Sequence, residues 1–141
     1  MLKIINNFAP FFEDCYRKIS VREYARLMKV TPPTASTVLK AYHQQGFLHQ
    51  REEHHHLFFS LNTEDRDVID LSRMYWRKKL ASLSQEVEKR HLQPTGILFG
   101  SLAKAEAKQD SDVDLAIFSP QNKPMNLTPY EKELKRTIAL Y

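Results

Sequence analysis

Residues 96–118 read Gly96-Ile97-Leu98-Phe99-Gly100-Ser101-Leu102-Ala103-Lys104-Ala105-Glu106-Ala107-Lys108-Gln109-Asp110-Ser111-Asp112-Val113-Asp114-Leu115-Ala116-Ile117-Phe118. Gly96 to Phe99 is a short apolar run of the kind that forms a buried strand; it runs directly into Gly100-Ser101, after which Leu102 to Ala107 is expected to start a helix. Leu115 to Phe118 extends the aspartate-containing stretch into a second apolar strand. Side chains alternate across a strand, so Asp112 and Asp114 project from one face. Two carboxylates held side by side repel unless a cation sits between them, and hard oxygen pairs of this type bind Mg2+. Backbone N–H groups at a Gly-Ser turn opening a helix can hold a phosphate. A metal beside a phosphate cradle points to phosphoryl or nucleotidyl transfer.

Residues 96–118 resemble the signature of the DNA polymerase beta-like nucleotidyltransferase superfamily, especially its minimal nucleotidyltransferases. That family pairs a Gly-Ser after the first strand with two aspartates on the second, and ten residues separate the Ser from the first Asp. Here Leu102 to Ser111 are those ten. The resemblance implies that Gly100 and Ser101, with Lys104, bind the triphosphate of ATP or another nucleoside triphosphate. It also implies that Asp112 and Asp114 hold Mg2+ as metal ligands and catalytic carboxylates. Two features depart from the family pattern. An Ala-Arg-Gly stretch often follows the Gly-Ser, whereas this chain has Ala103-Lys104-Ala105, which keeps the cation and loses the glycine. Active members usually carry a third carboxylate on a later strand, commonly as the general base for the acceptor hydroxyl. Tyr130 to Leu134 reads as a helix and Lys135 to Tyr141 as that later strand, with Ala139 nearest the third-acid position. Glu131 and Glu133 are expected on a solvated helix face. The module 94–141 is expected to be a shortened one, with no following helix over the acceptor side.

Upstream, Thr63 with Glu64 and Asp65 reads as a capped, acidic helix start, and Lys89, Arg90 and His91 suit a last turn. Val68, Leu71, Met74, Tyr75, Leu80, Leu83 and Val87 form one apolar stripe, and Gln93-Pro94 ends the run. Residues 63–93 are therefore expected to be one continuous connecting helix. Its stripe exceeds what a small module covers, which leads to the expectation of a homodimer paired through 63–91; the alternative is that the C-terminal module covers the stripe within one chain.

The first 62 residues read as a separate module. Phe8, Phe11, Phe12, Cys15 and Tyr16 recur at helical spacing. Ser20 and Glu23 form a capping box before a second helix. Thr31 caps a third behind Pro32 and Pro33, and Gly46 ends it. Phe47 to Arg51 and Leu57 to Leu61 read as a hairpin with Glu52 to His56 at its tip. Ser20 to Leu48 resembles the helix-turn-helix core of bacterial and archaeal winged-helix regulators, in which the third helix enters the DNA major groove. The resemblance implies contacts to double-stranded DNA from Thr34, Ser36, Thr37, Lys40 and His43, and from Arg51 in the wing. Of the adjacent histidines 54–56, at most His54 and His56 share a strand face, so a polar wing tip is expected rather than a metal site.

Composition fits this picture. The chain has 141 residues, 42% hydrophobic and 27% charged, which suits small folded modules. Its net charge of +4 resides mostly in the first 62 residues, where eight Lys or Arg face five Asp or Glu. The single Cys15 cannot make an internal disulfide, and no run is long and apolar enough for a membrane helix. With no signal peptide recognisable in the first residues, the cytoplasm is the expected location. The expected fold class is α+β: a winged helix-turn-helix over 1–62, a connecting helix over 63–93, and a small mixed-sheet nucleotidyltransferase-like module over 94–141. The expected function is a DNA-binding regulator whose second module binds Mg-nucleoside triphosphate, with weak or partner-dependent transfer. The alternative is an active, antitoxin-like enzyme that adds a nucleoside monophosphate to a protein or other hydroxyl; a protein partner fits either reading.

Overall fold

A computed structural model describes residues 2–121 and 123–141. Helix α1 (Lys3–Glu13) buries Ile5, Phe8, Phe11 and Phe12 along one face. It stops short of the aromatic pattern that suggested it. The Cys15 N–H donates to the Ala107 carbonyl at 2.7 Å instead of extending the helix, and Tyr16 is exposed. The short strand β1 (Ile19–Ser20), which sequence patterning did not reveal, precedes α2 (Val21–Met28) and α3 (Pro32–Gln44). The hydroxyl of Ser20 accepts from the Glu23 N–H at 3.2 Å, as a capping box requires, but the Glu23 carboxylate is taken by Arg17. Gly46, at φ +82°, closes α3. Its N–H donates to His43 and that of Phe47 to Tyr42, the paired bonds of a left-handed helix end.

Strands β2 (Leu48–Glu53) and β3 (His56–Leu61) pair antiparallel, and β1 adds to β3, giving the order β1-β3-β2. Because Glu53 pairs with His56, the tip is the two residues His54 and His55 rather than the five expected. Both have positive φ, as a two-residue hairpin turn of this register demands. The pair therefore sits in a tight turn and not on alternating strand faces.

The expected continuous connecting helix is two helices, α4 (Arg66–Lys79) and α5 (Ala81–Arg90), with Leu80 leaving helical geometry between them. Asp65, not Thr63, is the N-cap, accepting from the Val68 N–H at 3.0 Å. The bend gives the stripe two different partners. Tyr75 on α4 packs against Phe12 of α1, while Leu80 and Leu83 share a cavity of about 390 Å³ with Leu98 and Leu115. Val68, Tyr75, Trp76, Leu80, Leu83 and Val87 are all buried within one chain. Leu71 and Met74 of the stripe are half-buried, and the rest of the apolar surface on which the homodimer expectation rested is covered from inside.

The C-terminal part contains β4 (Thr95–Phe99), β5 (Val113–Phe118), α6 (Thr128–Leu134) and β6 (Ile138–Leu140), forming a mixed sheet of order β4-β5-β6. Strand β4 is antiparallel to β5, and β6 is parallel to it. The expected helix after Gly100-Ser101 is only a 3-10 turn, Leu102–Lys104, halted by Ala105 in the left-handed region at φ +55°. Among the described residues no helix is long and apolar enough to cross a membrane.

One buried cluster runs from Ile5 to Ile138, so the two halves share a core. At their junction lies the guanidinium of Arg136, its side chain 3% exposed. It donates to the carbonyls of Lys108 and Ser111 at 2.8 Å each, to the Glu13 carbonyl at 2.6 Å and to the Glu13 carboxylate at 3.0 Å. Its Cζ lies over the Trp76 ring, 5.0 Å from the centroid. Glu13 also accepts from Tyr75 and pairs with Lys79 at 3.3 Å. Arg136→Ala would leave three carbonyls without that donor and Glu13 with only Tyr75 and Lys79, and the expected cost is about 1–3 kcal/mol in urea-monitored unfolding. A loss below about 1 kcal/mol would show that the junction rests on apolar packing alone.

Burial lifts the Cys15 thiol from 9.0 to about 11. Burial also raises the Tyr75 phenol, helped by its hydrogen bond to Glu13, and burial raises that of Tyr24. Each folded pKa lies above its unfolded value, so this stability is fully present below the unfolded pKa and lost as pH rises through the folded one. Unfolding free energy should be level from about pH 7 to 8.5 and fall above about pH 9. Cys15→Ala should blunt the first part of that fall; an unchanged alkaline profile would rule out the thiol as its source.

Candidate active site

Strand register brings the motif residues into one row. Phe99 of β4 pairs with Asp114 of β5, and Asp114 pairs with Ala139 of β6. Val113, one residue before, is fully buried and pairs with Ile138, so the even-numbered β5 positions carry the opposite face. Asp112 stands just ahead of β5 and is exposed; Asp114 is half-buried.

Gly100 explains how closely the carboxylate approaches the turn. At φ +73° it takes a conformation that favours glycine, and a Cβ built on it would overlap Asp114 Oδ2 and lie 3.1 Å from its Cγ. The carboxylate thus fills the space that the missing side chain leaves. Ser101 follows at the head of the 3-10 turn, with its carbonyl accepting from the N–H groups of Lys104 and Glu106. Lys104 is exposed and, among the described residues, has no acidic partner within ion-pair distance. A single 3-10 turn adds little of the macrodipole that a full helix would offer a phosphate, which leaves turn N–H groups, the Ser101 hydroxyl and Lys104 as the groups here that could contact one. The glycine that the family stretch often has after Ala-Arg falls on Ala105, and the left-handed backbone there supplies the physical reason for that preference.

The loop ahead of Asp112 is held from behind. Arg136 binds the carbonyls of Lys108 and Ser111, and the Ser111 hydroxyl accepts from the Lys108 N–H at 2.8 Å. Sequence reading missed Arg136; its only signal was a cation one residue from an apolar strand. Glu131, expected on a solvated face, is half-buried and accepts from the Ile138 N–H at 2.9 Å, so it braces β6. Glu133 is exposed and accepts from Ser82.

A divalent cation fits this donor set in a limited way. Among the described residues no group of three His, Cys, Asp or Glu could hold a metal. Mg2+, however, is commonly bound through one or two carboxylates with substrate phosphates and water completing its shell. Asp112 and Asp114 beside an open glycine turn meet that requirement.

The residues expected to meet DNA lie elsewhere. Thr34, Thr37, Lys40 and His43 are exposed on α3, and Ser36 is half-buried. The Thr37 hydroxyl donates to the Pro33 carbonyl, and His43 Nδ1 engages the Leu48 carbonyl at 2.9 Å. Arg51 lies 3.4 Å from Glu53, which also binds Lys18; that contact holds the Glu53 carboxyl below its ordinary range.

Compared with protein-family models, residues 80–140 match the nucleotidyltransferase domain. The match takes in α5, the glycine turn, both aspartates and β6. Nucleotidyltransferase domains generally use nucleotide substrates and divalent metals, and the match supports a nucleotidyl-transfer-like function for this part. No curated protein and no solved structure matches the chain.

Gly100→Ala should force Asp114 aside and strain the turn, lowering stability by about 1–2 kcal/mol. Calorimetric melting checks this, and an unchanged melting temperature would contradict the close approach.

Proposed function

We propose that residues 1–62 form a winged-helix DNA-binding module and that the C-terminal part binds Mg-nucleoside triphosphate with feeble or partner-dependent transfer. The observation that carries this reading is the row Asp114–Ala139, in which the carboxylate abuts the glycine turn while the facing β6 position is a methyl group. Asp112 and Asp114 would hold the Mg2+. When bound, that ion polarises the α-phosphate and helps orient an attacking hydroxyl. Gly100, Ser101 and Lys104 retain the phosphates through turn N–H groups, a hydroxyl and an ammonium. Among the described residues of the row, none takes the acceptor proton, and loss of a general base commonly costs about 10²- to 10⁴-fold in rate. Binding therefore outlasts turnover.

Isothermal titration of ATP with and without Mg2+ tests the nucleotide reading. Wild type should bind only with Mg2+, and Asp112→Asn with Asp114→Asn should abolish the metal-dependent part. No binding in Mg2+ overturns the reading; brisk transfer by the protein alone would instead favour the enzyme alternative.

The DNA reading rests on the exposed Thr34, Thr37 and Lys40 of α3 and on the basic excess of the first 62 residues. Duplex affinity should fall steeply with salt as counterions are released, and Lys40→Glu should weaken it at every salt concentration. Equal gel shifts for both proteins would place α3 outside the groove.

A further inference from the structure

The sheet face that carries Asp114 is apolar and open along the rest of its length except at Thr95, which pairs with Phe118 at the far end. Strand pairing places Ile97 opposite Ala116, next to the row of Phe99, Asp114 and Ala139. The Tyr141 N–H donates to Leu115 and its carbonyl accepts from Ile117, each at 2.9 Å, which sets Tyr141 beside Ala116 on this same face. Only the Ala116 methyl stands between β4 and Tyr141, so the Phe99 and Tyr141 rings meet across it, centroids 5.3 Å apart and nearly edge to face. Ile97 is 47% exposed, Phe99 38% and Tyr141 70%. A sheet face meeting water only for solubility would alternate toward polar residues; this one joins an acid to a pair of exposed rings.

We propose that the Phe99–Tyr141 pair is the platform for the nucleobase of the triphosphate, with Ala139 as the floor beside it. This inference rests on the nucleotide reading above and deepens it by assigning the base subsite. Phe99 directly precedes Gly100, so a ligand whose phosphates lie at the turn and whose metal lies at Asp114 extends its remaining part over this face. The open flank of Tyr141 offers stacking, which every base accepts because every base has a π-face. The small residue at 116 lets the two rings meet, and the small residue at 139 leaves depth beside Tyr141 for a planar ring. In this account Ala139 has a positive role: a longer acidic side chain there would stand beside the rings.

The test titrates Mg-ATP and magnesium tripolyphosphate, which has phosphates and no base, into wild type, Phe99→Ala, Tyr141→Ala and Tyr141→Phe. Wild type should bind ATP more tightly than tripolyphosphate. Each alanine variant should lose about 5- to 100-fold in ATP affinity while tripolyphosphate binding stays unchanged, and Tyr141→Phe should remain near wild type. Tyr141 lies at an exposed strand end, so its variants keep the test sound if Phe99→Ala fails to fold. Equal wild-type affinity for the two ligands, or ATP affinity indifferent to Tyr141→Ala, overturns the base subsite while leaving the phosphate reading standing. Failure of wild type to bind either ligand overturns the nucleotide reading itself, and the subsite with it.

Discussion

The guanidinium of Arg136 is the constraint on which the rest of the structure depends. It enters from the approach to β6, crosses Trp76 of α4, and holds both the end of α1 through Glu13 and the loop ahead of Asp112 through two carbonyls. A buried cation is costly unless its donors are matched; here four oxygen contacts from two separate segments engage Nη1 and Nη2, while Nε is buried without a hydrogen-bond partner. Any movement of α1 relative to the sheet must break or carry those bonds. The N-terminal helices and the aspartate loop are therefore mechanically joined, and the Cys15 to Ala107 backbone bond adds a second tie nearby.

This junction gives the two proposed activities a physical route to influence each other. The proposed DNA-contacting helix packs in the same core as α1, whose last residue binds the arginine that fixes the aspartate loop. A ligand that pulls Asp112 and Asp114 together acts on a loop pinned to Glu13. Differential affinity for two positions of that loop would be needed for real coupling, and the hydrogen bonds of Arg136 are where such a difference would be stored.

Much of the site was legible in the sequence because its parts are local. The Gly-Ser turn and the strand containing Ala139 each follow from spacing over a few residues, and the β5–β6 register puts Ala139 opposite Asp114; Asp112, expected on the same strand as Asp114, stands just ahead of β5. The third helix was equally legible from Thr31, the prolines and Gly46. What escaped depends on tertiary partners. The break at Leu80 arises because one stripe serves α1 on one side and the C-terminal sheet on the other, and apolar periodicity carries no record of which partner each residue meets. β1 is too short for a period to emerge, and the two-residue turn at His54-His55 is set by pairing register. The close approach of Asp114 to Gly100 needed coordinates, although the glycine itself was the visible sign.

The central claim is that one sheet row, Phe99 to Asp114 to Ala139, together with the Gly100-Ser101 turn, forms a metal-nucleotide site. The most direct measurement is a crystal structure of the protein with Mn2+ in place of Mg2+ and a non-hydrolysable nucleoside triphosphate, read in the anomalous difference map. The account predicts a manganese peak bridged by the Asp112 and Asp114 carboxylates, with phosphate density at the turn. Ordered nucleotide elsewhere on the molecule, or manganese bound away from both aspartates, would contradict it.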